Sequence, residues 1–268
     1  MEQPTKKIPL LLTIATACAL TSFTAQANDD FSGFIAVGAA TIPDYEGSDD
    51  YDFMPLLLAK VNYKETYYAE LVGTALRANV SPYPAIEFGP VLGYSGGRDD
   101  DVDNNAVSRL REIDAGVEAG AFVKLPFKSV LTEYDSASIS AQFLSDISDT
   151  HEGTTIKLSA GYDRWINKQL SLGGSISTTY ASDDYNDAFF SIDADNASRS
   201  GLNQYDADGG FKDIGLRINS RYALNEKWGV TGLIGYKKMI GDAADSPVVD
   251  DAGSDNQWMA GLGVSYRF

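Results

Sequence analysis

The chain carries one histidine, His151, and one cysteine, Cys18, so acid–base and thiol chemistry have almost nowhere to reside. His151 lies near Ser148 and Asp149 in a short polar stretch. Hydrolytic chemistry would need a nucleophile, a base and an orienting acid held in mutual reach, and nothing else in the sequence converges on this histidine. Carboxylates are plentiful, 38 Asp and Glu against 21 Lys and Arg. They are scattered through candidate loops without the defined pair that glycoside hydrolysis uses. Asp101, Asp103, Asn105 and Glu112 have the spacing of an EF-hand loop, but Ala106 stands where the sharp turn needs Gly and no helices flank it. The expectation is therefore no enzyme, no cofactor and no resident metal. What remains is a set of isolated charges at alternating positions: Asp114, Glu118, Asp163 and Asp213, with Arg217, Arg221, Lys237 and Arg267. Charges of both signs on one face of strands suit a confined lumen, where they pair into a plug or select ions.

The elements that would position those charges are strands. From Trp258 onward, Trp258, Ala260, Leu262, Val264, Tyr266 and Phe268 alternate with Gln257, Met259, Gly261, Gly263, Ser265 and Arg267. Successive strand side chains point to opposite faces, so one face is apolar and the other small or polar. The same pattern runs through Ile214–Tyr222, Leu170–Tyr180, Ile113–Val123 and Ile86–Tyr94. A soluble sandwich and a transmembrane barrel both alternate. Three features favour lipid outside. The strands exceed the usual soluble length of roughly five or six residues. Aromatics (Tyr94, Tyr162, Trp165, Tyr180, Tyr222, Trp228, Tyr236, Trp258, Tyr266) gather at strand ends as interfacial girdles do. Short connections near Asn62–Thr66, Pro126–Ser129, Asn167–Gln169 and Asn225–Lys227 alternate with long ones near Thr41–Asp52, Gly96–Arg111, Asp183–Gly210 and Gly241–Asp255.

The fold expected is an all-β, closed antiparallel transmembrane β-barrel with an even number of strands. The number is twelve if Tyr67–Val80 breaks at Gly73-Thr74 into two short strands, and ten if that region is irregular. Tyr266 and Phe268 supply an aromatic C-terminus on the apolar face, the expected signal to the barrel assembly machinery. The long loops hold most of the acid, as in Asp44–Asp52, Asp99–Asp103, Asp183–Asp208 and Asp242–Asp255. That acid reads either as a solvated, repulsive surface or as carboxylates sharing divalent ions with lipopolysaccharide. A net charge of −17 leaves no basic excess for nucleic acid.

Residues 1–27 have the form of a cleaved secretory signal: Lys6 and Lys7, an apolar run from Ile8 to Leu20, then Ala25-Gln26-Ala27. Export through the Sec pathway and a barrel over 28–268 follow. Cys18 lacks the leucine three residues before it that lipidation favours, and it would leave with the signal. Beyond that segment no apolar run is long enough for a transmembrane helix.

Pro43-Asp44-Tyr45-Glu46-Gly47-Ser48, Gly89-Pro90-Val91-Leu92-Gly93-Tyr94 with Gly97-Arg98, Gly241-Asp242-Ala243-Ala244-Asp245-Ser246-Pro247 and Ser265-Tyr266-Arg267-Phe268 follow one another in order along the chain. Together they resemble the MipA/OmpV family (the MltA-interacting protein family) over essentially the whole mature sequence. The resemblance implies a protein of the Gram-negative outer membrane, embedded in lipid and lipopolysaccharide. It further implies a scaffold joining a lytic murein transglycosylase to a penicillin-binding protein, and so murein cleavage to murein synthesis. The alternative it implies is a narrow outer-membrane porin or surface adhesin. It brings no catalytic motif.

Overall fold

The computed structural model describes residues 30–268. The signal-peptide assignment and Cys18 lie outside the described residues. Twelve strands run β1 (Phe31–Pro43), β2 (Tyr51–Tyr63), β3 (Tyr67–Val72), β4 (Ala75–Asn79), β5 (Glu87–Ser95), β6 (Gly116–Lys128), β7 (Asp135–Asp146), β8 (Thr154–Trp165), β9 (Leu170–Ala181), β10 (Gly210–Ala223), β11 (Trp228–Met239) and β12 (Asn256–Arg267). Each pairs antiparallel with its sequence neighbours, and β12 returns to β1, so the sheet closes with no free edge. Closure satisfies the backbone groups strand to strand, as hydrocarbon demands. No helix among the described residues is long and apolar enough to cross a membrane.

The twelve-strand alternative holds because the chain does break at Gly73-Thr74. Gly73 takes φ +63°, and β3 folds back on β4 with Val72 opposite Ala75. Its glycine fits a two-residue hairpin turn whose first position needs positive φ.

Alternation sorts the side chains. Leu262, Val264, Ile214, Ile218 and Ile234 point outward and are exposed, Leu262 by 65%, whereas Ser265 on the same strand as Leu262 is 1% exposed. Aromatics ring both ends of the outer face. Trp228 packs edge-on to Tyr266 and Phe31 lies against Tyr63 at the end that carries the short turns. Tyr236–Trp258 and Tyr180–Phe211 form pairs at the other end. The β1–β12 seam places Gly38 opposite Gly263, and a Cβ on Gly38 would lie 2.0 Å from the Leu262 carbonyl oxygen. Only glycine fits there.

The interior is asymmetric. Between β3 and β7, Tyr68, Val91, Phe122 and Leu144 pack into a buried apolar cluster inside the barrel. Between β8 and β12 many inward positions are small, including Ser159, Gly161, Ser175, Ser177, Gly215 and Thr231, with basic side chains such as Lys157, Arg217 and Arg221 set among them. One half of the bore is filled by large apolar side chains, and the other is lined mostly by small and polar ones.

The short-turn end differs from expectation at one place. β6 continues through Pro126 to Lys128, and the turn comes later, at 129–134. Asp135 organises it, accepting the N–H groups of Val130, Leu131 and Thr132 and the Tyr162 hydroxyl. A buried carboxylate with several donors fixes a turn that a run of residues with no Gly does not announce.

Candidate functional site

The long loops fold over one mouth of the barrel and into it. The β9–β10 loop forms two short helices, α1 (Asp183–Phe190) and α2 (Ala194–Ser200). Ser182 caps α1 by accepting the Tyr185 N–H, and Asp193 caps α2 through the Asn196 N–H. The β11–β12 loop contributes α3 (Gly241–Asp245). Tyr185, Phe189 and Phe190 of α1 pack with Met239, Ala243 and Val249. A second cluster draws Tyr45 from the β1–β2 loop, Val102, Val107 and Leu110 from the β5–β6 loop, Ile192, and Val248 with Ala252. Four loops thus share a hydrophobic core of their own. The exposed Asp101, Asp103 and Glu112 of the EF-like run stand outside that core, whereas Val102, Val107 and Leu110 between them are buried. The acid dominates the composition of these loops, but the interleaved aliphatics decide their structure.

Beneath the cap sits a charge cluster. A β-bulge between Phe211 and Asp213 turns both Lys212 and Asp213 inward, each buried. Glu46, from the Pro43–Ser48 segment, reaches down to bond Lys212 and, at 3.0 Å, Lys237. Its other oxygen accepts the Tyr185 hydroxyl at 3.0 Å. Asp213 Oδ2 lies 4.0 Å from each lysine. Burial alone would raise the Glu46 carboxyl, but the two lysines outweigh it and hold the group well below the usual carboxylate range. Burial, reinforced by Glu46, pushes the Tyr185 phenol well up. In the cap core, burial moves Tyr45 up to about 12 and Arg98 down to about 10. Arg98 Nη1 nonetheless donates to the Phe189 carbonyl at 3.0 Å, tying two loops together.

His151 does not face a nucleophile. Its Nδ1 accepts the Gly153 N–H, so Nε2 carries the proton, 3.6 Å from Glu118 Oε1. Its ring packs on Tyr185 and Phe189. Ser148 and Thr150 instead bond to Asp146, which organises that loop. The arrangement anchors the β7–β8 loop beneath α1.

The structure brings Asp213 and Lys237 together at Glu46 and sets Glu118 beside His151. Arg217 and Arg221 face the lumen lower on β10. Asp163 and Arg267 are exposed toward the short-turn mouth, where Asn219 reaches Asp163 at 3.4 Å. Asp114 stands exposed just ahead of β6, outside the strands. Tyr266 faces outward against Trp228, and Phe268 exchanges backbone hydrogen bonds with Gly33.

A second inward cluster was absent from the sequence reading. Glu70 on β3 meets Arg77 on β4 and, at 3.6 Å, Lys60 on β2. Glu87 on β5 takes Lys124 at 3.1 Å and the Tyr68 hydroxyl at 2.7 Å. Lys60 also lies over the Tyr68 ring. These residues border the filled half of the bore. The signal was present in inward parity at Lys60, Glu70 and Arg77, but strands of 6 and 5 residues are too short to establish that parity alone.

The family described as MltA-interacting protein MipA matches residues 35–268. Outer membrane protein OmpV of Vibrio cholerae is 27% identical over 206 residues, 76% of this chain and 74% of that protein. The MltA-interacting protein of Escherichia coli is 24% identical over 105 residues, 39% of this chain and 41% of that protein. Among solved structures, the NanC porin superposes with a TM-score of 0.48 at 8% identity, covering 88% of this chain and all of that one. The family match spans the barrel strands and every loop of the cap, so this chain belongs to the MipA family of outer-membrane proteins.

Proposed function

We propose that the protein is a closed, non-enzymatic scaffold of the Gram-negative outer membrane. It links a lytic murein transglycosylase and a penicillin-binding protein at its short-turn rim. In outer-membrane barrels short turns face the periplasm, where murein enzymes act. The observation that carries the reading is the unequal treatment of the two ends. Four loops close the outer mouth with a shared core. The short turns instead leave large apolar side chains exposed: Tyr83 (65%), Leu131 (75%), Tyr134 (67%), Ile166 and Leu224. A single hairpin tip is too small for a specific interface, so the docking surface draws on several of these turns together. The name of the Escherichia coli relative lends the partner class. Delivery through Sec and insertion by the barrel assembly machinery belong to the same proposal.

Capture of a lytic transglycosylase by detergent-solubilised protein, with negligible conductance in planar bilayers, is the expected outcome. Leu131→Asp with Tyr83→Asp should weaken capture about tenfold or more while leaving heat-modifiable migration intact. Equal capture by that variant removes the rim from the interface. A narrow porin is the second reading, favoured by the hydrophilic β8–β12 wall. Steady conductance altered by Arg217→Gln would establish it.

A further inference from the structure

Besides Lys212 and Lys237, the inward face of the wall from β8 to β12 carries Lys157, Arg217, Arg221 and Arg267, and none of these four has a carboxylate within ion-pairing distance among the described residues. Their placement is regular. Lys157 shares a row with Thr179 and Asp213, and Arg217 and Arg221 follow on β10 at four-residue steps, each step about 13 Å at the usual strand rise. At the lowest step the cations converge. Arg221 reaches across β11 and β12 until its guanidinium lies 5.5 Å from the centre of the Phe34 ring on β1. Arg267 is the register partner of that same Phe34.

Two residues before Arg267, on the same face of β12, is an unsatisfied hydroxyl. Ser265 is in register with Gly229 on one side and Ala36 on the other. Neither neighbour brings a polar side chain. Arg221 Nε and Ser265 Oγ are both buried and both without a hydrogen-bond partner. Buried polar atoms are paired in the great majority of cases. Guanidinium groups gathered on a wall of small residues likewise call for negative charge. The partner that answers both needs is an acceptor bearing charge, and the planar guanidinium fork suits carboxylate or phosphate oxygens.

The geometry points to an oxyanion site at the periplasmic mouth, formed by Arg221, Arg267 and Ser265, that takes the carboxylate or phosphate group of a periplasmic solute. Arg217 and Lys157 extend the attraction up the wall. Entry is from below, because the cap covers the other end. The site is independent of the scaffold interface, whose exposed side chains lie on the turns and not in the bore.

The test is isothermal titration at low ionic strength of protein extracted in a zwitterionic detergent, with inorganic phosphate and separately with succinate. Saturable binding is expected. Arg221→Gln and Arg267→Gln should each weaken it about tenfold or more, and Arg221→Lys less, since it keeps the charge and loses the fork. Lys168→Gln, in the exposed β8–β9 turn, should bind as the unmodified protein does. Heat-modifiable migration checks that each variant is folded. If Arg221→Gln fails that check, Arg267→Gln at the exposed mouth carries the test. Tighter binding of phosphate assigns a phosphate-bearing solute, and tighter binding of succinate a carboxylate-bearing one. No saturable binding of either ion, or equal weakening by Lys168→Gln, overturns the site.

Discussion

Glu46 shows how much one side chain can hold. It leaves a loop that reads as solvated acid, enters the barrel mouth, and meets Lys212, Lys237 and Tyr185. Removing its charge leaves Lys212, whose side chain is 5% exposed, with only the more distant Asp213 at 4.0 Å. Breaking a buried pair from one side costs roughly 3–5 kcal/mol, so Glu46→Gln should loosen the cap and open the β9–β10 loop to protease. Glu46→Gln with Lys212→Met should recover protection, because the pair is then absent and not broken. The pH dependence has a definite sign. The folded Glu46 carboxyl lies below its ordinary 4.5, so its stabilisation is complete above that value and is lost only as pH falls toward the folded-state value. Cap protection should therefore be flat from pH 7 to about pH 5 and decline below that. In Glu46→Gln this acid step should vanish. Limited proteolysis across pH reads both.

At the scale of elements, the outward faces were plain in the sequence. β12 alternates over its whole length, and its apolar set faces out as its pattern requires. Leu262→Arg should cost about 2–4 kcal/mol near the bilayer midplane, whereas Ser177→Gln, on the inward face of β9, should be tolerated. Refolding yield in denaturant separates the two. The seam is a separate test of geometry. Gly38→Val has no room beside the Leu262 carbonyl and should cost about 1–3 kcal/mol or more by overpacking, lowering the fraction that migrates as the compact band. Deleting Phe268 should lower insertion, since it removes an exposed aromatic terminus and the backbone bonds that pair it to Gly33. Normal outer-membrane levels of that deletion would deny Phe268 a part in assembly.

For the whole molecule, the barrel was legible and the cap was not, for a physical reason. Strand parity is a local, period-two property written along each segment. The cap core depends on single residues such as Tyr45, Val107, Ile192 and Val248, which belong to different loops and share no period. The bulge that turns Lys212 inward beside Asp213 likewise breaks parity at one residue, so Asp213 was placed by its pattern and Lys212 was missed. Glu118 and Lys237 were found because they obey alternation. Glu46 was not, because a loop has none. Asp114, counted by extending the β6 pattern backward, falls before the strand begins.

The cap also carries a consequence in time. The Tyr45 hydroxyl bonds the Ala252 carbonyl across 207 residues of sequence, and Glu46 meets Lys237 across 191. Contacts of such separation return free energy only after the intervening chain is already ordered. The first and last thirds of the chain must therefore be brought side by side before these loops can dock, and closing β12 on β1 is the event that does so. The cap is then the last part of the molecule to form, and resistance of the β9–β10 loop to protease becomes a clock for completed closure, lagging the appearance of strand structure in a refolding time course.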